Sequence, residues 1–245
     1  IVQRNYSQKK KQVVVVSALG DITNSLVDIS HLAAAGNEYY VDLFNEIEQR
    51  HLQLCNEIIP LANRSATLTQ TKVLLNDLED ILRGLFLVGE LSPRSSDLVL
   101  SFGERLASTI ISAFLSEAIP KTILCDAREY IKTDAQFGNA TVDAPLTYEL
   151  LVKQITDTND LYLFPGFVAS SNQTNQITTL GRGGSDYTAA LIAAAVNAEE
   201  LQIWTDVSGM MTANPRMVSR ARTIDSLSYE EAMELSHFGA KVIYP

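Results

Sequence analysis

The stretch QITTLGRGGSDYTAALIAAA, residues 176–195, decides the fold of this chain. It opens with a short β-branched run and closes with an alanine-rich apolar run, which are typical of a strand and a helix. Three glycines around Arg182 lie between the two runs. A strand, a glycine turn and a helix in immediate succession predict a unit of an α/β fold.

The glycine turn also predicts a binding site for an anion. The first N–H groups of a helix lack partners within it and carry partial positive charge. Glycine lets the backbone turn toward a ligand and approach it closely. Arg182 adds a planar cation that can bind a carboxylate or a phosphate through two parallel hydrogen bonds.

The turn matches neither of the common phosphate-binding motifs. No lysine follows the glycines as the P-loop pattern requires, and Gly181, Gly183 and Gly184 lack the spacing of GxGxxG. On the residues alone, a tight turn with Ser185 or Asp186 as the helix N-cap is an open alternative to an anion site.

Strands and helices alternate along the rest of the chain. The run QVVVVSA, residues 12–18, predicts a strand that is buried on both faces. Apolar spacing predicts further strands over about 121–127, 161–169 and 201–207. Helices are predicted over about 22–35, 37–59, 65–88, 146–155 and 227–242, and from the SPRSSD loop at 92–97 to about 118. The alternation predicts a largely parallel sheet with helices on both faces.

Composition bears on the partners of the protein. The net charge of −10 disfavours a nucleic-acid surface, which needs clustered lysine and arginine. No apolar run approaches the roughly 18 residues of a membrane span, and no signal peptide is visible, so we expect a cytoplasmic protein without a membrane partner. Cys55 and Cys125 stand alone, and the three histidines lack metal-ligand spacing, so we expect no metal held by the chain itself.

Gly103 lies inside a predicted helix, where glycine costs about 1 kcal/mol relative to alanine. Its presence therefore indicates a close approach at this point. The approaching group could be a ligand that the next residue, Glu104, would bind. It could equally be a neighbouring helix, with Glu104 exposed to solvent.

Two polar stretches follow predicted strands, at residues 17–24 and 204–216. Open α/β sheets bind their ligands beyond the carboxyl ends of their strands. The first stretch could hold a polar substrate, although a capped turn into a helix explains it equally well. In the second, Asp206 could bind a ribose or a metal, and Arg216 could reach a phosphate.

Taken together, these stretches resemble the signature segments of the aspartokinases, in the amino acid kinase superfamily. The segments VVVVSALGDITN, SFGERLAS, LGRGGSDYTAA, IWTDVSGMMTANPR and SYEEAMELSHFGAKV occur in the family's order and extend over about residues 12–245. The tract before Pro60 and the stretch RGLFLVGELSPRSSD further resemble the kinase half of bifunctional aspartokinase–homoserine dehydrogenases.

The resemblance implies a three-layer αβα sandwich that transfers the γ-phosphoryl group of ATP to the side-chain carboxylate of L-aspartate. The product, 4-phospho-L-aspartate, begins the route to lysine, threonine and methionine. The family also implies ATP with Mg²⁺, and association into homo-oligomers.

The same resemblance implies a role for particular residues. The aspartate-binding set is Thr23, Glu104, Arg182, Gly183, Gly184 and Ser185. Arg182 would take a substrate carboxylate, Glu104 would meet the ammonium group, and Asp186 would be the catalytic residue that organises the reacting groups. The nucleotide-binding set is Thr205, Asp206, Met211, Arg216 and Lys241.

The sequence departs from the family pattern at both ends. No Lys-Phe-Gly-Gly segment precedes the first predicted strand, and no regulatory ACT domain follows Pro245. We therefore expect residues 1–245 to be an incomplete catalytic domain, trimmed at both ends and inactive by itself. Two alternatives stay open: another amino acid kinase, such as a carbamate, acetylglutamate or uridylate kinase, or a fragment that binds ligands without catalysis.

Overall fold

A computed structural model describes residues 2, 11–156, 160–214 and 217–238 of the chain. Two compact units are present, residues 1–198 and residues 199–245. Arg216 and Lys241, both predicted to bind nucleotide, lie outside the described residues.

The first unit alternates helices with short strands. Its helices are α1 (Ile22–Ala34), α2 (Tyr40–Ile58), α3 (Leu61–Val88), α4 (Pro93–Ala118), α5 (Ala127–Tyr130), α6 (Ala144–Gln154) and α7 (Gly184–Ala195). Its strands are β1 (Gln12–Val16), β2 (Thr122–Leu124), β3 (Lys132–Thr133), β4 (Leu161–Pro165), β5 (Val168–Ser171) and β6 (Ile177–Thr179). The second unit contains helix α8 (Tyr229–His237).

The strands form two small sheets. In the first sheet, β4 lies between β1 and β2, and all three strands are parallel. The register pairs Gln12 with Leu161 and Val16 with Pro165, so β1 and β4 end side by side. In the second sheet, β5 runs parallel to β3 and antiparallel to β6.

Alternate residues of the parallel sheet face two different helical layers, because side chains of a strand point to opposite faces in turn. One face packs against the end of α4, through Val14, Val16, Leu161, Leu163, Leu115 and Ile119. The other face packs against α6 and α7, through Val13, Val15, Tyr162, Phe164, Leu151, Ile155, Leu191 and Ile192. This arrangement confirms the predicted three-layer αβα sandwich.

A second core lies among α1, α2, α3 and α4, on the α4 side of the sheet. Its buried members include Leu26, Ile29, Phe44, Leu78 and Phe102. Helix α4 is long and apolar enough by composition to cross a membrane, but 61% of its most apolar 18-residue window is buried inside the protein. Its apolar character therefore fits its place in the core, where it contacts both the other helices and the sheet.

Most predicted elements are present with small shifts at their ends. The side chain of Ser92 caps α4 by accepting a hydrogen bond from the Ser95 N–H group, and Ser228 and Glu231 form the predicted capping box of α8. The predicted strand over 201–207 is wrong, since this segment belongs to no strand. The valines of β1 are half-buried rather than fully buried.

Candidate functional site

The carboxyl ends of β1 and β4 form one edge of the parallel sheet. Directly after the last paired residues, the Gly166 N–H group donates a hydrogen bond to the Val16 carbonyl oxygen at 2.9 Å. The chain segments that follow the two strands therefore leave the sheet side by side. This is the edge at which open α/β sheets bind their ligands.

Glu104 reaches this edge from α4 and is only 4% exposed. Its Oε1 atom accepts a hydrogen bond from the Ala18 N–H group at 3.2 Å, just beyond the end of β1. Its buried Oε2 atom has no hydrogen-bond partner among the described residues. Burial raises the pKa of this carboxyl group to about 7, because a low dielectric disfavours the charged form. A cationic ligand group would supply the missing partner.

Gly103 lets α4 approach the segment after β1. A Cβ atom at this position would lie 2.9 Å from the Ala18 Cβ and 3.3 Å from the Leu26 Cδ1. The close approach predicted at Gly103 is therefore made by the protein itself and not by a ligand. The prediction that Glu104 would then be exposed is wrong, because the same packing buries it.

The glycine turn has the backbone that its sequence predicts. Gly181 and Gly183 have φ values of 72° and 73°, and the Gly184 N–H group donates to the Gly181 carbonyl oxygen at 3.1 Å. Gly183 is the N-cap of α7. The alternative with Ser185 or Asp186 as N-cap is wrong, because the left-handed Gly183 starts the helix earlier and places both residues in its first turn.

The start of α7 is pressed against the segment between β4 and β5. A Cβ atom at Gly166 would lie 2.6 Å from the Ser185 Oγ, and a Cβ atom at Gly184 would lie 2.7 Å from the Phe167 Cδ2. The Thr188 hydroxyl fixes this contact, because it accepts from the Phe167 N–H group at 3.0 Å and donates to the Gly184 carbonyl at 2.8 Å. Ser185 is thus held beside Gly166, at the same sheet edge as Glu104.

Sequence reasoning missed Gly166 and Phe167 as parts of this edge. Phe167 has a φ of 63°, which is rare for a bulky residue and marks an enforced conformation. The Pro165–Gly166 pair inside an apolar run was the available signal, since that pair interrupts strands.

The remaining predicted aspartate-site residues lie around the same edge. Thr23 is half-buried near the start of α1. Arg182 is exposed, and within the part of the chain that the structure describes it forms no ion pair or side-chain hydrogen bond. Asp186 is half-buried in the first turn of α7, and burial raises its pKa.

The predicted nucleotide residues belong to the second unit. Thr205 and Asp206 are exposed, and the Thr205 hydroxyl donates to the Asp206 Oδ1 at 3.2 Å. Met211 is half-buried and forms an antiparallel bridge with Thr223. The candidate site is therefore defined by residues of the first unit, at the carboxyl ends of β1 and β4.

Two surface clefts of about 310 and 280 Å³ lie elsewhere in the first unit and share Arg128 and Ile177. Acidic and basic side chains line both clefts, and Arg128 is already paired with Asp126. Neither cleft contains a predicted site residue. The buried, unpartnered oxygen of Glu104 is a stronger indication of a ligand than the volume of these open clefts.

No group of three or more histidine, cysteine, aspartate or glutamate side chains that could hold a metal ion is present among residues 2, 11–156, 160–214 and 217–238. The donor set of the described residues therefore does not fit a metal held by the protein alone. A Mg²⁺ ion that is carried mainly by nucleotide phosphates needs no such set.

The three layers and the glycine turn at the carboxyl edge define an α/β protein of the αβα class. Its sequence matches the model of the amino acid kinase family over residues 1–245. The chain belongs to that family.

Curated relatives confirm the resemblance to aspartokinases. Aspartokinase 1, chloroplastic, of Arabidopsis thaliana is 34% identical over 97% of this chain and 42% of its own length. Lysine-sensitive aspartokinase 3 of Escherichia coli is 33% identical over 98% of this chain and 52% of its own length. This chain thus spans about half the length of these relatives, or less.

A solved structure supports the same assignment of fold. Escherichia coli aspartokinase III in complex with aspartate and ADP, in its R-state, superposes with a TM-score of 0.86. That protein is 34% identical to this one, and the match covers 96% of this chain and 51% of the other.

Proposed function

We propose that this chain is part of the catalytic domain of an aspartate kinase, which transfers the γ-phosphoryl group of ATP to the side-chain carboxylate of L-aspartate. The observation that carries the proposal is the buried Oε2 atom of Glu104, which has no hydrogen-bond partner within the described part of the chain. The relatives named as aspartokinases, and the similar structure that contains aspartate and ADP, support this substrate pair.

The proposed site matches the charges of L-aspartate. Glu104 receives the ammonium group, which completes the hydrogen bonding of its buried carboxylate. Arg182 and the N–H groups at the start of α7 receive the α-carboxylate, because arginine is a cation and the first N–H groups of a helix carry partial positive charge. Gly183, Gly184 and Ser185 form the wall of the site, and Thr23 adds a hydroxyl from α1.

The nucleotide belongs with the second unit in this proposal. Thr205, Asp206 and Met211 contact the nucleoside, and Arg216 and Lys241 contact the phosphates. A Mg²⁺ ion carried by the nucleotide would supply neutralisation of phosphate charge.

The proposed reaction moves no proton. A side-chain carboxylate oxygen of aspartate attacks the γ-phosphorus, a new P–O bond forms, and the bond to the β–γ bridging oxygen breaks. ADP leaves with that electron pair, and the product is an acyl phosphate. Because the nucleophile is already ionised, the protein needs to supply position and charge stabilisation rather than a general base. Asp186 orients the cationic groups around the migrating phosphoryl.

Incubation of this chain, extended at its amino terminus by the family's Lys-Phe-Gly-Gly segment, with ATP and L-aspartate in the presence of hydroxylamine tests the proposal. This extended chain is the parent protein for every activity measurement, and residues 1–245 alone should give no measurable turnover. Hydroxylamine traps an acyl phosphate as a hydroxamate, so aspartyl hydroxamate and ADP should accumulate in equal amounts. Asp186→Asn should lower turnover by about 100-fold or more, which is the size of a lost electrostatic contact in a transition state. Preferential phosphorylation of a different acid would overturn the assignment of the substrate.

Substitution of Arg182 tests the proposed carboxylate contact. We expect Arg182→Ala to raise the KM for aspartate by about 10- to 100-fold, because a charge-assisted bond contributes about 1.5–3 kcal/mol. The KM for ATP should change little, and lysine should restore function poorly because it lacks the planar fork. Arg83→Ala, at an exposed arginine of α3, is the matched control. Equal effects of Arg182→Ala on both substrates would contradict the contact.

A further inference from the structure

Asp97 is a buried carboxylate for which neither the predicted site nor the proposed reaction has a role. It lies near the start of α4 and is 1% exposed. The Thr179 hydroxyl donates to its Oδ1 atom at 2.7 Å, and the Gly138 N–H group donates to its Oδ2 atom at 2.9 Å. Asp97 therefore joins α4 to two segments that are distant in the sequence.

Thr179 lies immediately before the glycine turn. It is the last residue of β6 and is 2% exposed. Its backbone pairs with Val168 of β5, and the next residue, Leu180, donates its N–H group to the Phe167 carbonyl at 2.9 Å. The side-chain bond to Asp97 thus links α4 to the chain two residues before Gly181.

Asp97 and Glu104 lie about two turns apart on α4, so they share one face of the helix. Glu104 contacts the segment after β1, whereas Asp97 contacts the strand that leads into the glycine turn. One helix therefore touches the two halves of the candidate site through two buried carboxylates.

We propose that Asp97 is a positioning residue that holds the glycine turn in place through Thr179, and so fixes Arg182 and Ser185 relative to Glu104. The consequence for substrate rests on the proposed function. The positioning role does not rest on the proposed function, because it concerns only the backbone of residues 180–188.

The bond can be removed with little change of shape by Thr179→Val, and restored by Thr179→Ser. Asp97→Asn changes the other partner. Thr147→Val is the matched control, because Thr147 is also fully buried and its hydroxyl accepts a bond from the Lys132 N–H group at 3.0 Å. That bond links α6 to β3, not to the glycine turn.

Hydrogen–deuterium exchange and steady-state kinetics together test the proposal. We expect Thr179→Val to speed amide exchange in residues 180–188 by about tenfold, and to raise the KM for aspartate by a similar factor. Asp97→Asn should have a smaller effect in the same direction, because its amide oxygen can still accept from the Thr179 hydroxyl. The KM for ATP should stay within about twofold, since in this proposal the nucleotide contacts lie in the second unit. Thr179→Ser should behave as the parent protein does.

Exchange in residues 180–188 that is the same in Thr179→Val as in Thr147→Val would overturn the positioning role. If Asp97→Asn fails to fold, the comparison of Thr179→Val with Thr179→Ser tests the positioning role alone. The exchange measurement requires no substrate, so its outcome does not depend on the proposed aspartate kinase function. It therefore tests the positioning role separately from that function. Faster exchange at the turn in a protein that does not phosphorylate aspartate would support positioning and reject the proposed function.

Discussion

Glu104 combines deep burial with an incomplete set of hydrogen bonds. A buried acceptor without a partner costs about 1–3 kcal/mol, and more if it is charged. The fold offers its carboxylate one backbone N–H group, from Ala18. The protein therefore keeps this residue at an energetic cost, which is the pattern expected where function and stability compete.

The raised pKa of Glu104 predicts how stability depends on pH. The unfolded chain releases this proton near pH 4.5, whereas the folded chain holds it to about pH 7. Between these values the folded state binds more protons, so the contribution of Glu104 to the free energy of unfolding falls as the pH rises. Glu104→Gln should remove this dependence of the free energy of unfolding on pH. Its stability relative to the parent protein should therefore increase between pH 5 and pH 8.

Urea denaturation at several pH values in that range measures this effect. Glu79→Gln, at an exposed glutamate of α3, serves as the control and should keep the slope of the parent protein. If the free energy of unfolding of Glu104→Gln depends on pH as it does in the parent protein, another titrating group accounts for that dependence.

At the residue scale, the sequence drew attention to Gly103 and Glu104 but did not predict their surroundings. A glycine inside a helix requires a reason, and that argument led to Glu104, whose role as a ligand-binding residue stays a prediction. The contact behind that glycine was not predictable, since it depends on Ala18, which is distant in the chain. Gly166 was missed for the same reason, because its function becomes visible only when Ser185 lies against it.

At the scale of elements, α4 is the structural centre of the first unit. It carries Asp97 and Glu104, packs against the sheet, and approaches the segment after β1 through Gly103. Helix propensity and tertiary packing therefore make opposite predictions for a substitution at Gly103.

Gly103→Ala and Gly84→Ala form a matched pair that tests this conflict. Gly84 is an interior residue of α3 with nothing within 4 Å of an added Cβ, so alanine there should stabilise the protein by about 0.5–1 kcal/mol. Gly103→Ala should destabilise it by about 1–3 kcal/mol, because the new methyl group overlaps Ala18. Thermal or urea denaturation gives both values, and a stabilising Gly103→Ala would show that α4 can move away at little cost.

Element boundaries were predictable where local chemistry sets them. The cap at Ser92 and the capping box at Ser228 follow from residues within one turn. The predicted strand over 201–207 was wrong because an apolar run becomes a strand only when another strand pairs with it, and pairing is a tertiary property. The α/β class was predictable because it needs only the alternation of elements.

At the scale of the whole molecule, the proposed function divides the ligands between the two units. In that proposal the aspartate contacts belong to the unit of residues 1–198, and the nucleotide contacts belong to the unit of residues 199–245. Ligands stabilise most strongly the parts of a protein that they contact.

Amide exchange with each ligand alone tests this division. L-aspartate should slow exchange in residues 17–24 and 180–188, and ATP with Mg²⁺ should slow it in residues 205–214. Citrate at equal ionic strength controls for nonspecific effects of a carboxylate. Protection of residues 180–188 by ATP alone would contradict the division and move the nucleotide to the glycine turn.

The spacing of Asp97 and Glu104 limits how this chain can vary in length. Each residue of a helix advances its side chain by about 100° around the axis. One residue inserted or deleted between these positions would turn either carboxylate away from its partner, so that Thr179 or Ala18 loses its bond. Homologous chains should therefore keep the length of this segment of α4, and gaps in their alignments should fall outside it.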